Sequence, residues 1–464
     1  MDNSKIKIGI LGAGISGLAT AHWLVREGYD VTVLEKKSEA GGAMETIRED
    51  GFLADMGPNS GLETTPLIRE IVNEVGLQDE MIYANPAGNN RYILRNEELH
   101  ALAQSPGKMI STRLLSAKGK LAMLKEPFVG KSEEGYYQSI AQFVRRRLGN
   151  EFLDYVINPF VAGVFAGNPD DLSVKSAFPK LYRLEEEYGG LIKGTIKGHK
   201  ERKKRGEESK QHARMFSFLN GMQTFPKAIA YKLPKSPVYN TEVKTVSYSK
   251  NNINVNTEID GKNNNFEFNY LLSAIPAYSA SGIFLSIDST LSNHLDAVYY
   301  PPVLALYIGF KKSDIGRKLD GFGFLIPEKE RKKFLGAIWS SVIFQNRCEE
   351  DFATFTIFVG GARQPGIFED EQNHLYDNIL SEFKTLMGIN AEPVFVKEKM
   401  WNKAIPQYNL GYIEHENYFE HFENEHPGLF LSGNYRGGIS VGDCVKNSKI
   451  VFEKMRKTVM NSEL

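Results

Sequence analysis

KIKIGILGAGISGLATAHWLVREGYDVTVLEKKSEAGGAMETIREDGFLADMGPNS, residues 5–60, is the stretch that decides the fold. An apolar run at 6–11 predicts a buried strand that leads directly into Gly12, Ala13, Gly14, Ile15, Ser16 and Gly17. A helical pattern continues to about Glu27, and a second strand is expected over 31–34, ending on Glu35. This is a βαβ unit with a G-x-G-x-x-G turn in the context that a dinucleotide site requires. Gly12 permits the tight turn, Gly14 lets the backbone approach a pyrophosphate, and Gly17 lets helix and strand pack closely. The free N–H groups and positive dipole end of the helix then face the phosphates. Glu35 follows Gly12 by 23 residues, where an acid accepts from a ribose hydroxyl. That acid also argues against a 2′-phosphate, which calls for an arginine.

Working outward, Gly41 and Gly42 predict a second close pass of the chain at the cofactor, followed by Ala43. Gly57, Pro58, Asn59 and Ser60 enforce an irregular backbone, which by local sequence alone is an ordinary turn. Residues 61–85 read as helical, with Leu67, Ile71, Val75 and Leu77 on one face. Segments 91–94 and 98–101 read as a hairpin, and 111–205 turns predominantly helical. Within it, Arg145, Arg146 and Arg147 precede an apolar run that reads as a core helix or, in a second reading, as a membrane-facing one. The basic stretch 199–205 is either a solvated loop or a contact for anionic lipid. Strands are expected at 216–218, 241–248, 253–255, 270–274, 303–310, 321–326, 335–338 and 354–359, with a helix over 369–387. The chain closes on GLFLSGNYRGGISVGD (428–443), a buried strand and a glycine-rich turn, and then a helix over 443–459. The ends of the chain are therefore expected to build one discontinuous cofactor domain.

The composition sets bounds. A chain of 464 residues, 42% hydrophobic and 24% charged, is globular and long enough for two or three domains. A net charge of −1 provides no global field for nucleic acid. The two cysteines, Cys348 and Cys444, leave no disulfide framework, fit a reducing compartment, and the nine histidines show no metal spacing, so no metal is expected. The first strand starts so early that no signal or transit peptide is expected, and no window of 18 apolar residues is available to span a bilayer.

Taken together, the opening fingerprint, the GPNS turn and the closing GNYRGGISVGD resemble the FAD-containing amine-oxidase superfamily. Within it the chain is similar to the oxygen-dependent protoporphyrinogen and coproporphyrinogen oxidases of haem synthesis. The likeness runs through NPFVAGVFAGNPDDLSVKSAFPKL (158–181), LNGMQTFPKAI (219–229), GFGFLIPEKE (321–330), TIFVGGARQP (356–365) and WNKAIPQY (401–408). The fold class it implies is α/β: a Rossmann-like FAD-binding domain (1–85, 215–300 and 395–464), a mixed-sheet substrate domain (86–110 and 301–394) and an inserted helical, membrane-associating subdomain (111–214). FAD contacts are implied at residues 12–17, Glu35, Lys36, Ala43, residues 57–60, Val243, Trp401, Ile439, Ser440 and Val441. Ala43 stands where many relatives carry arginine, so that contact is backbone or absent. Arg91 is implied to hold a propionate, with Leu325, Ile338 and Phe358 sandwiching the macrocycle. Ile338 replaces the leucine of the plant enzymes. A planar guanidinium suits a carboxylate, and a tetrapyrrole needs a broad apolar slot. By residue type alone Arg91 is a surface arginine and the other three are core residues.

The implied reaction takes hydride from a methylene bridge of the porphyrinogen to the flavin, with dioxygen as final acceptor and hydrogen peroxide as by-product. No side chain stands out as a general base, and Asn59 is expected to orient or polarise the substrate through its amide. Other implied partners are a membrane surface at the pocket mouth, a downstream haem-pathway enzyme and a second copy of the chain, in the cytoplasm or peripheral on the inner face of its membrane. Competing readings are a polyamine or amino-acid oxidase, a carotenoid-desaturase-like flavoprotein, and a non-catalytic flavin-binding scaffold.

Overall fold

The computed structural model describes residues 3–103, 111–204, 213–249, 252–370 and 374–462. A parallel sheet is ordered Leu429–Leu431, Tyr270–Ser273, Lys7–Leu11, Asp30–Leu34. Its strands are mostly apolar because both faces are covered. Ile8, Ile10 and Leu11 are fully buried. The helix Ile15–Arg26 packs on it, and the final helix, Val441–Ser462, packs on that helix, where the Ser448 hydroxyl donates to the Ser16 carbonyl at 2.9 Å. The last strand lies two places from the first, so chain ends more than 400 residues apart share one layer.

A seven-stranded mixed sheet carries the second half of the site. Its order is Phe395–Trp401, Val303–Lys311, Phe352–Gly360, Gly336–Ile338, Gly321–Leu325, Asn90–Arg95, Glu98–Ala101. One face is sealed: Leu306, Ile308, Phe310, Phe324, Ala337, Phe355 and Ile357 pack with Phe383 of the helix Leu375–Met387. The period of two sends their neighbours to the other face.

Between these sheets the chain makes a helical segment knitted by buried charge. Arg147, on the helix Ile140–Leu148, pairs with Glu126 at 2.7 Å and with Glu185, while Glu126 also accepts from the Leu191 and Ile192 N–H groups at 2.6 and 3.1 Å. Glu126 thus caps the helix Leu191–Lys204. One member of the arginine triplet is therefore internal rather than a solvated charge.

Two expectations need correction. Only Pro66–Glu74 is helical within 61–85. Gly61–Leu62 and Met81–Tyr83 are strands that flank Met215–Phe218. The apolar positions fit a helix, but pairing with a strand some 150 residues away overrides the pattern at both ends. The helix expected at 369–387 is two pieces, Ile367–Asp370 and Leu375–Met387, and residues 371–373 lie outside the described ones. Arg205 of the basic stretch and residues 104–110 of the expected substrate domain lie outside them as well, and the side chains of 199–204 are not described.

Candidate active site

The fingerprint turn has the shape its glycines require. Gly12 has φ +100, a region that side chains avoid, and its N–H donates to the Leu34 carbonyl at 2.8 Å. A Cβ on Gly17 would overlap the Gly12 carbonyl oxygen, whereas one on Gly14 would meet nothing nearer than the Gly42 Cα at 3.8 Å. The open side of Gly14 lies at the N-terminus of the helix Ile15–Arg26, a backbone cradle of the shape that fits a pyrophosphate. The Gly41–Gly42 turn lies against it, with the Gly41 N–H donating to the Ala13 carbonyl at 3.0 Å.

Glu35 is buried, and its carboxylate accepts from the Ala13 N–H at 2.6 Å and the Lys37 N–H at 2.8 Å. These bonds fix the acid beside the cradle and leave lone pairs for a ribose hydroxyl. The Thr241 N–H donates to the Glu35 carbonyl at 2.8 Å, which brings Val243 of the strand Thr241–Ser249 to the same end. Lys36 behaves differently. Its ammonium pairs with Glu242 at 2.8 Å and its side chain is 72% exposed, directed to solvent rather than held beside Glu35.

The far end of the cradle is built from three segments. A Cβ on Gly57 would overlap the Ala43 carbonyl oxygen, so the Ala43 backbone lies directly against the turn at 57–60. The Trp401 Nε1–H donates to the Met56 carbonyl at 2.9 Å and ties the end of the strand Phe395–Trp401 to the same turn. Ile439 and Ser440 lead into the helix Val441–Ser462, and Ser440 Oγ accepts from the Asp443 N–H at 3.1 Å, an N-terminal cap. Tyr408 pins the glycine turn ahead of them: its hydroxyl donates to the Asn434 carbonyl at 2.6 Å and accepts from the Gly438 N–H at 2.9 Å. A second helix N-terminus, with its positive dipole end, therefore faces the site.

Beneath the GPNS turn lies a pair that the sequence did not announce. Asp55 is fully buried, and burial raises its carboxyl pKa against the pull of Arg347 at 3.4 Å. It accepts from the Thr46 hydroxyl at 2.6 Å and the Met222 N–H at 2.8 Å.

Sheet register then assembles the remaining candidates. Arg91 pairs with Gly323, Gly323 with Ile338, and Ile338 with Thr356. In the next row Ile93, Leu325, Gly336 and Phe358 follow one another. All eight share the unsealed face. There Leu325, Ile338 and Phe358 are only half-buried, although most residues of the strands that carry them are buried. The helix Asn158–Phe165 overlies this face, so a Cβ on Gly163 would meet Leu325 Cδ2 at 2.6 Å. Arg363 holds that helix in place: its guanidinium donates to Asn158 Oδ1 at 2.6 Å and to the Ile326 carbonyl at 3.2 Å, and burial lowers its pKa to about 10.

Arg91 opens to solvent, yet surrounding protein lowers its pKa, the position of a group inside an open cleft. It stacks over Phe322 at 5.4 Å, and no carboxylate among the described residues pairs with it. Across the row, Asn59 Nδ2 donates to Thr356 Oγ1 at 3.1 Å. Three interstrand spacings separate Arg91 from Thr356, about 14 Å. The sheet thus joins a free cation, an apolar wall and the turn at the far end of the dinucleotide cradle.

The flavin containing amine oxidoreductase model matches residues 15–450. The chain belongs to that family. Its cofactor is FAD, which the open Gly14 side, the fixed Glu35 and the two helix N-termini fit. This flavin amine oxidoreductase is 32% identical to the mitochondrial protoporphyrinogen oxidase of Nicotiana tabacum, over 96% of the chain and 94% of that protein. It is 26% identical to the coproporphyrinogen III oxidase of Bacillus subtilis, over 97% of each. A solved structure from Exiguobacterium sp. 255-15 superposes with a TM-score of 0.80 at 21% identity, covering 97% of this chain and 99% of that one, which establishes the shared fold.

Proposed function

We propose that this flavoprotein oxidises a porphyrinogen, protoporphyrinogen IX or coproporphyrinogen III, to the porphyrin. The observation that carries the reading is the row from Arg91 to Thr356. Arg91, which pairs with no carboxylate among the described residues, sits about 14 Å from Thr356, the partner of Asn59, with Ile338 between them and Leu325 and Phe358 in the adjoining row. That span suits a substrate with a peripheral carboxylate, a wide apolar body and a reacting carbon near the opposite edge. In this reading Arg91 holds a propionate through its planar fork. Leu325, Ile338 and Phe358 bind the ring and exclude water, and Asn59 orients the reacting side. Bound FAD supplies the two-electron acceptor and is regenerated by dioxygen, so one porphyrinogen and three O2 give one porphyrin and three H2O2. An amine substrate would call for an anion where this row presents Arg91.

The helical segment supports peripheral contact with an anionic membrane. Phe128 is 89% exposed, Leu124 66%, Leu121 56% and Ile196 54%, with Lys125, Lys193 and Lys197 among them. Among the described residues no helix is long and apolar enough to cross a membrane. Phe128→Ser with Leu124→Ser is expected to weaken sedimentation with phosphatidylserine vesicles, and unchanged sedimentation refutes this contact.

Both porphyrinogens, prepared without air, are offered to the enzyme and porphyrin fluorescence is followed once air is admitted. Growth with at least one supports the reading, and none with either refutes it.

A further inference from the structure

Thr356 is a fully buried hydroxyl on the substrate face of the large sheet, where its neighbours in register are Ile338 and Tyr307. A buried hydroxyl is costly unless it is bonded. Its oxygen accepts from Asn59 Nδ2 at 3.1 Å and pairs with Ser340 Oγ at 2.9 Å. Ser340 is buried too, so the two hydroxyls form a short chain that ends on the carboxamide.

Asn59 Nδ2 also lies 3.4 Å from the Asp55 carbonyl. A backbone carbonyl only accepts, as a carboxamide oxygen does, so the Asp55 contact fixes which end of the side chain is nitrogen, and the Thr356 hydroxyl, which can donate or accept, then serves as acceptor. The carboxamide oxygen therefore turns away from Thr356. Among the described residues it accepts no hydrogen bond, and it is not among the atoms sealed from solvent. The result is a held acceptor on the face that carries Ile338 and Phe358, next to the turn at the flavin end of the cradle.

We propose that Thr356, braced by Ser340, is a positioning residue that holds the Asn59 carboxamide with its oxygen presented to a pyrrole N–H of the bound macrocycle. The inference rests on the porphyrinogen reading. As hydride leaves a methylene bridge, positive charge spreads into the adjoining pyrroles and their N–H groups become stronger donors. An acceptor fixed in advance gains most at that moment, so its loss falls on kcat rather than KM. No proton needs to reach Asn59, which holds the N–H while the proton leaves through solvent.

The test uses full-length, FAD-loaded enzyme carrying Thr356→Val, Thr356→Ser or Ser340→Ala, each alone and with Asn59→Ala. Thr356→Val keeps the shape and removes the acceptor. It is expected to lower kcat about tenfold with KM within about twofold, and with FAD content and the flavin absorption spectrum unchanged. Thr356→Ser is expected to recover to within about threefold. In the Asn59→Ala background Thr356→Val is expected to add nothing, because the group it positions is gone. Should Thr356→Val fail to fold, Ser340→Ala carries the same test, with about a threefold loss of kcat that vanishes in the Asn59→Ala background. Additive losses, or a serine variant no better than valine, overturn the proposal. Wild type that turns over while the threonine and serine variants are unaltered overturns the Thr356 role alone. Wild type inert to both porphyrinogens overturns the substrate reading and this inference with it.

Discussion

Replacing Arg91 with alanine tests the substrate face at its most exposed point. The guanidinium opens to solvent, stacks over Phe322 and pairs with no carboxylate among the described residues, so truncation strands no buried partner. The loss of a cation–π contact at an exposed site is about 0.5–1 kcal/mol, a small change in the stability of the chain. Substrate binding loses more. A charge-assisted bond is worth about 1.5–3 kcal/mol when sheltered, and solvent access to Arg91 reduces this to about 1–2 kcal/mol. That corresponds to a fall of about 5- to 30-fold in kcat/KM. The register places Arg91 about 14 Å from Thr356, so under the proposed reading the carboxylate is held far from the reacting carbon, alike before and during the reaction, and the loss is expected on KM. Arg91→Lys keeps charge without the fork and is expected to lie between alanine and wild type. The assay is initial porphyrin fluorescence against substrate concentration, with kcat and KM separated. An unchanged KM, or a loss confined to kcat, refutes the assignment of Arg91 to a carboxylate.

Gly17→Ala would drive a Cβ into the Gly12 carbonyl oxygen, so the purified protein is expected to lose bound FAD, read as visible flavin absorbance relative to protein. Glu126→Gln leaves Arg147 and the first N–H groups of the helix Leu191–Lys204 poorly matched, at a cost of about 3 kcal/mol read as a lower melting temperature and faster proteolysis within 111–204. Acid should act on the same network. Burial alone would raise the Glu185 carboxyl, but hydrogen bonds from Arg147, Arg146 and the Ser132 N–H outweigh it and hold it below its ordinary 4.5. Its contribution is therefore present above the unfolded carboxylate value and lost as pH falls through the lower folded one. Thermal melts between pH 7 and 3 (a range of about four units) are expected to steepen below the carboxylate range in wild type and to flatten there in Glu185→Gln.

Much of the cofactor half was legible in the sequence, and the reason is local. Gly12, Gly17 and Glu35 are fixed by backbone geometry within one βαβ unit, and the structure has the positive φ and close contact that the pattern predicts. The closing GNYRGGISVGD carries the same logic of strand, turn and helix start. Local pattern also misled. The apolar spacing of 61–85 fits a helix, yet its ends are strands because Met215–Phe218 lies between them. Arg145, Arg146 and Arg147 read alike, but only the fold decides that Arg147 faces inward to Glu126 and Glu185.

The sequence by itself determined the dinucleotide fingerprint, the strand-rich second half and the flavin family, since each rests on short motifs that are read from neighbours in the chain wherever they stand along it. Tertiary structure alone decided which face of the large sheet stays unsealed, that Arg91 and Thr356 share one row, and that Thr356 meets Asn59 across 297 residues. A strand's alternation names two faces but not which one is covered. A shift of register by one residue would exchange them, and that choice is made only when distant strands pair.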